Sequence, residues 1–225
     1  MSNYRKELKY FITFNDFNII NNNLNSLLKK DKYCNDDYYQ ISSIYFDNYN
    51  MTSYNQVLNG ISERWKYRIR FYNYDKNYIK LEKKYKVNGL TLKESTVITY
   101  DTLNNILKRR VRIDSNNSPL LNELILKIKT EYLRPVILIE YDRIPYIYKA
   151  GNVRITLDYN IRYTNIYSDI FNKEKKVHYL NERILEVKYN EFIPDFIRFR
   201  LELNHLNQTS FSKFNNCIDA LGGYR

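Results

Sequence analysis

Alternation dominates the chain. In RWKYRIRFY (64–72), Arg64, Lys66, Arg68 and Arg70 share one parity, and Trp65, Tyr67, Ile69 and Phe71 share the other. Successive side chains of a strand point to opposite faces, so period two predicts a strand with one row of cations. The same period recurs in 5–12 (RKELKYFI), 40–46 (QISSIYF), 63–72, 78–86 (YIKLEKKYK), 94–100 (ESTVITY), 134–143 (RPVILIEYDR), 153–163 (VRITLDYNIRY) and 184–190 (ILEVKYN). Turn-forming residues separate many of these runs: Asn73–Asn77, Asn88-Gly89 and Ala150-Gly151-Asn152. Asn88-Gly89 between two alternating runs predicts a hairpin. About eight strands of similar length imply a large antiparallel sheet or a barrel.

Helical spacing is confined to a few segments. Asp16 is the predicted cap of a helix reaching about Lys30, and Asp101 of TLNNILKRR. Ser118-Pro119 fits a cap and first-turn proline for LLNELILKIK. Pro194-Asp195 opens another helix, and Ser210–Leu221 forms a fifth. No repeat and no linker interrupts the chain, so one α+β domain over 1–225 is expected.

The parity of charge extends beyond one strand. Arg5, Glu7 and Lys9 share a face, as do Lys80, Glu82, Lys84 and Lys86; Arg154, Asp158 and Arg162; and Glu186 and Lys188. The opposite positions are mostly apolar or aromatic: Leu8, Tyr10 and Ile12; Ile79, Leu81 and Val87; Val153, Ile155 and Leu157; Leu185, Val187 and Tyr189. A sheet with one wet face explains such alternation. So does a barrel with a polar lumen and an outside covered by helices. Arginine in mid-strand suits the second, because its planar fork hydrogen-bonds phosphate oxygens in pairs.

Charge sharpens the picture. The 225 residues carry a formal net charge of +11, which favours an anionic partner: nucleic acid, a membrane surface or phosphorylated compounds. In RWKYRIRFY the aromatics face away from the cations, which disfavours base stacking beside gripped phosphates and so disfavours nucleic acid. Cys34 and Cys217 lack metal-ligand spacing and read as reduced thiols. No apolar run reaches membrane-spanning length and the first residues lack a leader pattern, so a cytoplasmic protein is expected. The chain has no G-x-x-x-x-G-K-[ST] loop.

The ordered set RKELKY, SSIYFDNYNMTSY, KYRIRFY, KLEKKYKVNG, LRPVILIEYDR, VRITLDYNIR, ILEVKYN and SFSKF resembles the VTC-type polyphosphate polymerase domain, one of the triphosphate tunnel metalloenzymes related to the CYTH phosphatases. The resemblance runs from about residue 4 to 221. It implies a closed antiparallel tunnel barrel of about eight strands with helices packed outside. It also implies transfer of the γ-phosphate of ATP onto polyphosphate, assisted by Mn²⁺ or Mg²⁺.

By match to the family motifs, Lys9 is the N-terminal tunnel lysine, and Arg68 and Arg70 are the R-x-R pair. Lys84 follows the acidic Glu82 of E-x-K. Arg154 is the arginine of V-R-I-x-L-D, and Glu186 is the metal-binding glutamate, with Lys188 beside it. Ser212 and Lys213 belong to the S-K-F segment. Two family positions depart: a tunnel arginine falls near Val57, its role either missing or taken by Arg64 or Lys66, and a basic residue falls at Ser210. Glu7, Glu82 and Glu140 are further carboxylates for metal, or partners that hold the arginines. An ionised phosphate acceptor needs no general base, and His178 and His205 lie outside the motifs. No segment corresponds to the SPX domain or membrane anchor of eukaryotic members. The resemblance leaves room for a partner, a membrane protein among the candidates, that exports or stores the product.

Overall fold

The structure is a computed structural model that describes residues 6–34, 36–87, 90–165, 167–201 and 205–222. It divides into two compact units. The first comprises Met1–Gln40, Tyr141–Ile161 and Tyr179–Ser212; the second comprises Ile41–Glu140, Arg162–His178 and Lys213–Arg225.

In the first unit, strand β1 (Lys6–Ile12) pairs antiparallel with β10 (Arg183–Tyr189), and β10 with β8 (Val153–Thr164). The sheet continues to β7 (Arg134–Tyr148), against which the two-residue β2 (Lys29–Lys30) also pairs. Tyr10, Ile12, Ile155, Leu157, Leu185 and Val187 form one buried face. Helices α1 (Phe14–Leu27) and α5 (Asp195–Leu201) close over it with Ile20, Leu24, Ile197 and Leu201. The β7–β8 turn needs Gly151: its φ is +72°, and a Cβ there would collide with the carbonyl oxygen of Phe192. The outer side of β1 is covered. Tyr10 bridges Gln208, and the Thr209 amide donates to the Lys9 carbonyl at 2.8 Å.

In the second unit the order is β7, β3 (Tyr39–Asp47), β4 (Arg64–Tyr72), β5 (Ile79–Val87) and β6 (Leu90–Ile98). Ile44, Phe46, Tyr67, Ile69, Phe71, Ile79 and Leu81 point to one side. There they pack on α3 (Tyr100–Leu107) and α4 (Pro119–Thr130) through Leu103, Ile106, Leu121, Leu124 and Ile125. Val87 pairs with Leu90, as a two-residue hairpin demands; Asn88 and Gly89 themselves lie outside the described residues, as does Arg5. The unit also holds α2 (Thr52–Leu58) and α6 (Lys213–Ala220), while a three-residue strand, β9 (His178–Leu180), pairs with β8.

The eight alternating runs are all strands, and the fold is α+β. Two expectations change. The sheet order is a path whose ends, β1 and β6, do not pair among the described residues, so the expected closed ring of strands gives way to a sheet with two edges. The caps also shift. Thr13, not Asp16, caps α1: its hydroxyl accepts from the Asp16 amide while the Asp16 carboxylate accepts from Thr13 N–H, a reciprocal box. Thr99 likewise replaces Asp101 at α3. In both, the acid sits inside the first turn, where it complements the helix dipole. Ser118 caps α4 as expected. Helix α2 has no sequence signature, since its N-cap, Met51, is left-handed at φ 50° and makes no side-chain cap. Asp47 supplies the missing acceptor, taking the Ser53 and Tyr54 amides at 2.9 Å each. Among the described residues no helix is long and apolar enough to cross a membrane, which says nothing of crossing by strands.

Candidate functional site

Register aligns the charges of the first unit into rows. Directly opposed residues of an antiparallel pair share a face. Glu7, Lys188 and Arg154 therefore stand abreast across β1, β10 and β8, and Lys9, Glu186 and Thr156 form the next row. The Lys9 ammonium lies 3.0 Å from Glu7 and 3.9 Å from Glu186; Lys188 lies 3.3 Å from Glu186 and 3.6 Å from Glu7. Lys9 also donates to the Phe211 carbonyl at 3.2 Å, beside Ser212. Beneath the rows, buried Arg143 of β7 bonds Asp158 through Nε at 2.6 Å and Nη2 at 2.7 Å, and Nη2 reaches Glu186 at 3.5 Å. Arg154 donates to Asp31 at 2.6 Å and to the Tyr39 hydroxyl at 2.9 Å.

Burial alone would raise the Glu186 pKa. Lys188 and then Arg143, with the charge of Lys9 behind them, hold it well below the carboxylate range instead. Burial pushes the Lys188 pKa down, and Glu186 and Glu7 only partly restore it, because Arg143 opposes them. Three cations, Lys9, Lys188 and Arg143, thus share these carboxylates.

The second unit carries the other charged face. Tyr45, Arg68, Glu82 and Ser95 form one row across β3 to β6; Ser43, Arg70 and Lys80 form the next; Lys66, Lys84 and Lys93 form a third; and Arg64 and Lys86 a fourth. Glu82, 2% exposed, is the hub. Arg68 Nε meets it at 2.6 Å, Lys93 at 2.5 Å and Arg70 at 3.9 Å. Arg70 Nε donates to Ser43 at 3.1 Å, and Arg68 Nη1 to the Tyr45 hydroxyl at 3.3 Å. Lys66 lies over the Phe214 ring at 4.7 Å and donates to Asn215 Oδ1 at 2.9 Å, so residues of α6 reach this face just past Lys213. Arg64, at the exposed end, donates to the Ile61 carbonyl at 2.6 Å.

Burial opposes ionisation of Glu82, but Arg68, then Arg70 and Lys93, overcome it and hold the carboxyl far below its ordinary value. A carboxylate with a depressed folded pKa stabilises the fold above its unfolded pKa of about 4.3, and that stabilisation is lost as pH falls toward the folded value. Glu82→Gln is therefore expected to flatten the decline in stability between about pH 5 and 3. Urea unfolding at each pH checks this. Parallel declines in both proteins would place the acid sensitivity elsewhere.

Glu140 does not share this face. Its carboxylate accepts from Ser42 at 2.9 Å and Lys175 at 2.8 Å, and Ser42 is abreast of core Phe71. It ties Lys175 to the helix-covered side. Four residues of the charged faces or in contact with them escaped the sequence reading: Arg143, Tyr45, Lys93 and Asn215. Tyr45 also qualifies the expected separation of aromatics from cations. It stands with Arg68, yet it is buried and stacked on Phe214 at 5.3 Å, so no base can cover it.

Among the described residues no cluster of three or more His, Cys, Asp or Glu is arranged to hold a metal ion. Glu7 and Glu186 nevertheless fit one. Their oxygens converge on the same two ammonium groups, and the hydroxyl of Thr156, in register with Glu186, is buried without a hydrogen-bond partner. Mg²⁺ and Mn²⁺ are held by one or two carboxylates together with substrate oxygens and water. Glu82 and Glu140 fit less well, since cations and a hydroxyl already saturate them.

Each unit is therefore an α+β arrangement in which one face of the strands packs on helices and the other bears paired cations and carboxylates. A Bacillus halodurans protein provisionally assigned as an adenylate cyclase shares the fold, at 12% identity and a TM-score of 0.56 over 96% of this chain and 97% of that one. The Pyrococcus horikoshii OT3 protein PH1819 aligns over 96% of this chain and 99% of its own, at 14% identity and a TM-score of 0.49. No curated protein matches the chain. The VTC domain family model matches residues 4–222, and the chain belongs to that family.

Proposed function

We propose that the protein is a metal-dependent polyphosphate polymerase that transfers the γ-phosphate of ATP onto a polyphosphate chain. The observation that carries this reading is the strand face of Arg64, Lys66, Arg68 and Arg70, whose two central arginines are aimed by a buried, ionised Glu82. Phosphoryl transfer needs alignment and charge neutralisation more than covalent help from protein. Arg68 and Arg70, with Lys66 and Lys84 in the adjoining rows, would neutralise phosphate oxygens. Lys9, Lys188 and Arg154 would do the same on the first unit, and Ser212 and Lys213 are assigned to substrate by their motif. Glu186 and Glu7 would hold the Mn²⁺ or Mg²⁺, which would supply positive charge to offset the negative charge of the phosphoryl group. An acceptor that is already an ionised phosphate oxygen needs no general base. His178, stacked on Tyr163 at 5.4 Å, is engaged elsewhere. Family membership supports the substrate class.

Incubation with ATP and Mn²⁺ followed by gel electrophoresis tests the reading. Ladders of polyphosphate are expected. Release of orthophosphate without chains would make the protein a triphosphatase, and neither product would leave a binding module.

A further inference from the structure

On the far side of the second unit's sheet, α3 ends in residues the proposed reaction does not use. The Arg110 amide bonds the Asn105 carbonyl at 2.7 Å and the Arg109 amide bonds that of Ile106 at 3.0 Å, a Schellman termination. Its left-handed position, usually glycine, is held by Arg109 at φ 57°, a conformation costly to any residue with a Cβ. From there KRRVR (108–112) sets four exposed cations within five residues. Among the described residues none of Lys108, Arg109, Arg110 and Arg112 forms an ion pair. A helix C-terminus favours nearby cations and accounts for Lys108 and Arg109. It does not account for Arg110 and Arg112, which lie beyond it.

Arg110 and Arg112 line one cavity of about 280 Å³. Asn105 of α3 and Asn116 and Asn117 of the following loop complete its polar wall, and Leu121 and Ile125 contribute apolar surface. Asp114 also borders it, but its Oδ1 accepts the Asn116 amide at 2.8 Å within its own turn. Leu121 and Ile125 pack with Tyr67, Ile69 and Phe71, whose parity is opposite to that of Arg68 and Arg70. The cavity and the cationic strand face are therefore on opposite sides of the second unit's sheet.

We propose that this cavity is a second anion site, taking a small phosphate-bearing ligand between orthophosphate and a short oligophosphate in size. The Asn117 amide group already donates to the Arg112 carbonyl at 3.2 Å and to Asn122 Oδ1 at 3.0 Å, which fixes the wall. Guanidinium groups beside the Asn105 and Asn116 carboxamides match phosphate oxygens, and the volume is at the small end of ligand pockets. The site stands independently of the polymerase reading, since it shares no residue with the charged strand face.

Calorimetric titration at fixed ionic strength with orthophosphate and with tripolyphosphate tests it. In an Arg68→Gln/Arg70→Gln background, binding of at least one probe is expected to persist. Adding Arg110→Gln/Arg112→Gln should weaken it by about 10- to 100-fold, the loss of one or two charge-assisted hydrogen bonds. No binding in that background, or binding indifferent to the outer pair, would overturn the site. Should the background variant misfold, amide chemical shifts of Asn105, Asn116 and Asn117 in otherwise unaltered protein decide the same question. They should move with tripolyphosphate and stay still in Arg110→Gln/Arg112→Gln. Polyphosphate ladders from that outer variant are expected to match those of the unaltered protein, so failure of this site and failure of the polymerase reading register in different assays.

Discussion

Arg68→Ala is expected to abolish turnover while the protein stays folded. One well-placed phosphate-gripping donor is worth on the order of 2–4 kcal/mol of transition-state stabilisation, or about 30- to 1000-fold in rate. The fold survives because Glu82 is not orphaned: Lys93 remains at 2.5 Å and Arg70 at 3.9 Å. Arg154→Ala is expected to act similarly, although it strips Asp31 and Tyr39 of a shared donor. Initial rates from ATP and Mn²⁺, beside thermal melts of each variant, check both. A near-normal rate would remove that arginine from the site, whatever its place in the row.

Arg143→Ala is expected to cost more stability than any other single change on the charged faces. Its guanidinium is the bidentate partner of Asp158, which is fully buried, and it also neutralises Glu186. Truncation leaves two buried carboxylates short of a counter-charge. Breaking a buried pair from one side costs about 3–5 kcal/mol, against a total stability of about 5–15 kcal/mol for an ordinary domain. The double replacement Arg143→Met/Asp158→Leu should recover the share of that loss owed to Asp158, because that penalty belongs to the stranded charge rather than to the missing bond, while Glu186 keeps Lys188 and Lys9. Denaturant midpoints for the three proteins decide it. A single variant within about 1 kcal/mol of the parent would show that water or Lys188 takes over the neutralisation.

Period two, dictated by the pleat, made most of the strands legible, although the runs at 40–46 and 134–143 are buried on both faces and do not truly alternate. The same parity separated the two faces: Lys9, Glu186 and Lys188 fall into adjoining rows, and so do Arg68, Arg70 and Glu82. Arg143 stayed hidden for a physical reason. In VILIEYDRI both faces of β7 are buried, so hydrophobic residues fill both parities and no contrast marks the arginine. Tyr45 is obscured in the same way within the buried run ISSIYFD. Glu140 was offered for metal or for the arginines, and its partners Ser42 and Lys175 could not be foreseen because a charge in such a run carries no sign of which side it faces. The role of Lys93 depends on the β5–β6 register, which no local pattern encodes. Caps were displaced by two or three residues because aspartate is favoured both at a cap and in the turn that follows.

The covering of β1 by residues 208 and 209 has a consequence for crowded solution. An uncovered terminal strand is a template on which another chain can lay its own backbone, and repetition of that step builds fibres. Here the amide of Thr209 already satisfies the Lys9 carbonyl, so an incoming strand must first prise the segment loose. At the other terminal strand, LTLKESTVI, the adjacent opposite charges Lys93 and Glu94 interrupt the apolar positions that such growth would need. One border is sealed by the chain's own return, and the other is guarded by charge.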